Sequence, residues 1–72
     1  MDYIKEFRVE NTENTESVRV RVFSCTGQVI NDIRPVESLI REVTIPKGNL
    51  SKKETLVDGF IQKLKNAGYK EA

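Results

Sequence analysis

Residues 17 to 25 read SVRVRVFSC, in which valine alternates with arginine twice before a phenylalanine and the only cysteine of the chain. As a strand, this period of two puts Val18, Val20 and Val22 on one face and Arg19, Arg21 and Phe23 on the other. Guanidinium groups beside an aromatic ring support two kinds of recognition. They bind phosphates while the ring stacks on a base, which makes a nucleic-acid surface. They also anchor protein partners, since arginine and aromatic side chains are enriched at interface hot spots. A solvated sheet face without a partner is the plain alternative.

A second group with chemistry lies in PKGNLSKKE, residues 46 to 54. Lys52 and Lys53 fall in the expected first turn of a helix, where the helix dipole disfavours cations. With Lys47 and the backbone amides around Gly48 to Ser51, the arrangement suits a phosphate or carboxylate. The glycine spacing of a phosphate-binding loop is absent, and solvent-exposed lysines are the simpler use of the same residues.

Catalysis finds little support. The chain has no histidine, which removes the commonest general base and every serine–histidine or cysteine–histidine nucleophile. A single cysteine makes neither an internal disulfide nor a structural zinc site, and Cys25 reads as a small apolar filler at a strand end. Glu10, Glu13 and Glu16 cluster near the first loop without the spacing of a calcium loop. The expectation is no enzyme, no cofactor and no metal.

The elements that would position these residues follow from periodicity. Residues 3 to 9 alternate as a strand, with Tyr3, Phe7 and Val9 on one side and Lys5 among them. NTENTE, residues 11 to 16, reads as a hairpin loop. The opening stretch is the strongest strand, Thr26-Gly27 reads as a turn, and QVINDIR at 28 to 34 resumes an extended pattern, giving a second hairpin. A short turn or helical piece is expected at 36 to 39 and a strand at 40 to 45, ended by Pro46. Ser51 and Glu54 have the spacing of a capping box, and Gly68 suits a helix C-cap. Between them Leu56, Val57, Phe60, Ile61, Leu64 and Ala67 fall within an arc of roughly 140°. Gly59 breaks the helical propensity, either for close approach of another segment or as a tolerated weakness.

The predicted fold is α+β: a small antiparallel sheet of about four meandering strands over residues 3–46, with one C-terminal helix over 51–67 packed on one face. The 72 residues with 38% hydrophobic and 32% charged side chains describe one small domain, 1–72. The net charge of +1 is uneven. All the arginines lie before residue 46, among eight acids, and all but one of the lysines lie after it. No apolar run reaches the roughly 20 residues that span a bilayer, and the charged N-terminus is unlike a secretory leader. A cytoplasmic location is expected, with no membrane partner.

The sequence resembles no family that we recognise. It predicts a small non-catalytic binding or regulatory protein that recognises another protein, or a second copy of itself, through Arg19, Arg21 and Phe23. The alternative is a single-stranded DNA or RNA binder that adds Lys47, Lys52 and Lys53 to that face, with Arg8, Arg34 or Arg41 joining it according to strand register. Carboxylates on neighbouring strands decide between them, because Glu6, Glu10 and Glu42 can neutralise the arginines as cross-strand pairs.

Overall fold

The computed structural model describes residues 2–72. Strands β1 (Asp2–Glu13), β2 (Ser17–Val29) and β3 (Ser38–Pro46) form an antiparallel meander, and a short β4 (Lys70–Glu71) pairs parallel with β1. The sheet order is β3-β2-β1-β4. Helix α1, residues 54–66, begins as a π-helical segment Glu54–Asp58 and continues as the α-helical Gly59–Asn66. The fold is α+β, as expected.

The valine face of β2 is the inner one. Val20 and Val22 are 1% exposed and meet Val57 and Leu64 of the helix through two adjoining clusters, one around Phe7, Val22 and Leu64, the other around Val20, Ile45 and Val57. Val9 and Ile61 touch both clusters and join them into one core. Helical spacing on α1 and alternation on the strands thus select the same buried surface.

The helix ends where Gly68 adopts φ +95. Tyr69 N–H donates to Leu64 O and Gly68 N–H to Lys65 O, each at 3.0 Å, the reciprocal pattern of a Schellman cap. Lys5 completes that end from the inner face of β1: its ammonium donates to Ala67 O and lies 4.8 Å from the Tyr69 ring centroid. A cation there suits the negative end of the helix dipole. The helix start differs from expectation. Among the described residues neither Ser51 nor Glu54 makes a capping side-chain bond, and Glu54 instead offers its carbonyl to the Gly59 N–H, closing the π turn. Ala67 is exposed rather than packed.

Three boundaries also differ. Gly27 is not a turn: β2 runs through it to Val29, paired with β1 down to Asp2. The reversal comes later, at Asn31 and Asp32, whose φ values of +53 and +64 sit between the bridged Ile30 and Ile33. Both central residues have positive φ, the geometry that a two-residue hairpin turn needs and that Asn and Asp tolerate. The strand expected at 28–34 therefore does not exist as a separate element, and the fourth strand is β4, beyond the helix. No helical piece forms at 36 to 39; β3 begins at Ser38 and carries a bulge at Ile40, opposite Val22 and Phe23.

The first hairpin loop is tighter than NTENTE implied, since β1 extends to Glu13. Asn14 makes the turn by accepting on Oδ1 from Glu16 N–H at 2.8 Å and Ser17 N–H at 2.7 Å.

Candidate binding surface

Strand register assembles the second face. Arg19 lies opposite Thr12 and Thr44, Arg21 opposite Glu10 and Glu42, and Phe23 opposite Arg8 and Leu39. Directly opposed residues share a face, so Arg19, Arg21 and Phe23 stand in one row on the side away from α1.

The carboxylates foreseen as neighbours occupy their positions. Arg21 Nε donates to Glu42 at 2.6 Å and its Nη1 lies 3.9 Å from Glu10. Arg8 Nη1 donates to the other oxygen of Glu10 at 3.3 Å, while its Nε and Nη2 donate to the two oxygens of Glu37, each at 3.0 Å. A continuous chain of charges results, Glu37–Arg8–Glu10–Arg21–Glu42, and it links β1, β2, β3 and the segment before β3. The Arg8 guanidinium also lies 4.4 Å from the Phe23 ring centroid, so half-buried Phe23 is roofed by a cation. The hydrogen bonds that Arg8 donates to Glu37 and then Glu10 favour its charged guanidinium and hold its pKa above the ordinary value. The hydrogen bond from Arg8 holds Glu37 below the usual carboxylate range.

The segment 34–37, between the Asn31-Asp32 turn and β3, straps across this face. Arg34 bonds Glu6, Glu37 bonds Arg8, and Pro35 sits over Gly27, where a Cβ would approach its Cγ to 3.1 Å. Cys25 is on this face, not among the valines. It is 7% exposed because the strap covers it, and its thiol donates to Pro35 O at 3.1 Å. The face and strap together hold four arginines (Arg8, Arg19, Arg21, Arg34) and four glutamates (Glu6, Glu10, Glu37, Glu42). Arg19 alone of the four arginines has no ion pair among the described residues.

Arg41 does not join them. It lies on the inner face, donating from Nε to Leu56 O at 3.2 Å, 5.2 Å from the Phe60 ring centroid. The lysine group is also divided. Lys47 is 2.9 Å from Glu13, whose pKa its hydrogen bond lowers, and the Lys47 N–H donates to Glu16 O. Lys52 and Lys53 stand at the helix start, one exposed and one half-buried, with no ion pair among the described residues.

Of the three arginines that register could add, Arg8 and Arg34 join the face and its strap. Sequence reasoning missed Glu37, whose position depends on the strap. Beside the face runs an aliphatic margin, with Ile33 71%, Val36 88% and Leu39 51% exposed. Among the described residues no metal-ligating cluster forms and no helix is long and apolar enough to cross a membrane. No family, curated protein or solved structure matches the chain.

Proposed function

We propose that this chain is a small non-catalytic module that recognises another protein through the second face of its sheet, with Arg19, Arg21 and Phe23 as its centre and the aliphatic margin as its rim. The observation that carries this reading is the flanking of Arg21 by Glu10 and Glu42. Charges spent on adjacent carboxylates neither concentrate positive potential nor release counterions from a polyanion, which is where nucleic-acid affinity originates. Patterned pairs beside exposed Val36 and Leu39 suit a protein surface instead, where charge sets register and apolar area supplies affinity.

Arginine and glutamate in equal number also allow a second copy to be the partner, since such a face is complementary to itself. Affinity capture with the wild-type chain and with Arg19→Glu/Arg21→Glu tests the proposal, both checked for sheet content by circular dichroism. A partner held by the wild type and lost from the folded variant is the expected result. Equal capture by both overturns it.

A further inference from the structure

The strap is joined to the sheet differently from everything else in the molecule. Its inward contacts are polar: Arg34 to Glu6, Glu37 to Arg8, and the Cys25 thiol to Pro35 O. Thiols are weak donors and exposed ion pairs hold weakly. Of its two apolar residues only Pro35 turns inward, half-buried over Gly27, while Val36 points away and is 88% exposed. An open pocket of about 150 Å³ lies between the strap and the edge of β1, bordered by Glu6, Phe7, Cys25, the strap residues Arg34, Pro35 and Glu37, and Ala72, so solvent reaches the strap's flank. At one end lies the positive-φ pair Asn31 and Asp32 and at the other the start of β3, leaving a short unpaired span between them. Few buried apolar contacts and no ladder bonds put such a segment at the low end of local stability.

We infer that the strap is a displaceable lid, and that the groove it occupies receives an extended peptide segment of a partner protein. The strap itself defines the chemistry of that ligand. Glu6 takes a cation, Arg8 takes an anion three residues later, and the Cβ-free floor at Gly27 takes a flat ring such as proline next to the cation. The partner segment therefore reads cation, proline, apolar residue, anion in extended conformation. Displacement exchanges the two intramolecular ion pairs for two equivalent intermolecular ones and frees Val36 and the strap for further contact. This inference rests on the protein-recognition reading and names the ligand of that same face.

Cys25 serves as the reporter of lid opening. Its reaction with an aromatic disulfide reagent is measured for the wild type and for Arg34→Ser/Glu37→Ser, with glutathione as the control for intrinsic reactivity. The wild type reacts slowly, and faster as salt screens the pins. The variant reacts about tenfold faster, the gain from losing two exposed pairs. A peptide IRPVES, the chain's own residues 33–38, slows the variant again, whereas IEPVRS with its charges exchanged does not. The variant is used for the peptide because the tethered strap competes at high effective concentration.

Equal rates for variant and wild type, both folded, overturn the lid; equal protection by the two peptides overturns the ligand chemistry. If the variant fails to fold, the wild-type salt dependence decides, and a rate indifferent to salt overturns the lid. Among the described residues Arg19 and Arg21 make no hydrogen bond or ion pair with the strap, so failure of the capture experiment above leaves the labelling result standing, and the two failures are distinguishable.

Discussion

The Arg8 guanidinium stacks on the Phe23 ring at 4.4 Å while it donates two parallel 3.0 Å hydrogen bonds to Glu37. One side chain of β1 thereby fastens a ring on β2 and a carboxylate on the strap. A double-mutant cycle with Arg8→Ala and Phe23→Ala should show favourable coupling in urea unfolding, as a stacked cation–π pair does. Strict additivity would contradict the stacked geometry.

Two glycines should respond in opposite directions. Gly27 combines φ +140 with Pro35 above it, so Gly27→Ala meets both strain and a 3.1 Å contact and should cost about 1–3 kcal/mol. Gly59 has φ −62, and its only neighbour within reach of an added Cβ is Glu54 O at 3.8 Å. No segment approaches it closely, and Gly59→Ala should stabilise by about 0.5–1 kcal/mol. Thermal unfolding of the two variants checks both signs.

Acid should loosen the ion pairs before it touches the core. Glu37 and Glu13 have folded-state pKa values lowered by hydrogen bonds from Arg8 and Lys47. A carboxylate lowered on folding contributes stability that is present above its unfolded value and is lost as pH falls through the folded one. Carboxyl-detected NMR titration should find both midpoints below the usual ~4.3 of a glutamate. Arg8→Gln should return Glu37 alone to that range, and Lys47→Gln should return Glu13 alone. Ordinary midpoints in the wild type would contradict these pairings.

Burial separates two isoleucines that composition treats alike. Ile45 is 1% exposed within the cluster of Val20 and Val57, whereas Ile33 is 71% exposed. Ile45→Val should cost about 0.5–1.5 kcal/mol, and Ile33→Val should fall within about 0.5 kcal/mol of the wild type. Equal costs would place the core elsewhere.

What could be read from the sequence was what repeats locally. Alternation in SVRVRVF assigned both faces of β2, and the 3.6-residue spacing of Val57, Phe60, Ile61 and Leu64 assigned the inner side of α1. Gly27 misled because glycine serves two ends. It frees a turn, but it also lets another chain segment lie against a strand, as Pro35 does here. The true turn was marked by Asn31-Asp32, a pair suited to positive φ that the flanking Ile30 and Ile33 made look like an alternating strand. Glu37 was illegible as a partner of Arg8 because the two are 29 residues apart and meet only through the path of the strap. β4 has two residues, too few to carry a period.

The second face has spent its positive charge on its own carboxylates at every arginine but Arg19, which leaves too little free charge to hold a polyanion. Sedimentation velocity of the protein with fluorescent single-stranded DNA and RNA at low salt tests this most directly. The oligonucleotides should sediment as free strands, with the protein and with Arg19→Glu/Arg21→Glu alike. Co-sedimentation with the wild type that the variant abolishes and that falls steeply as salt rises would contradict it.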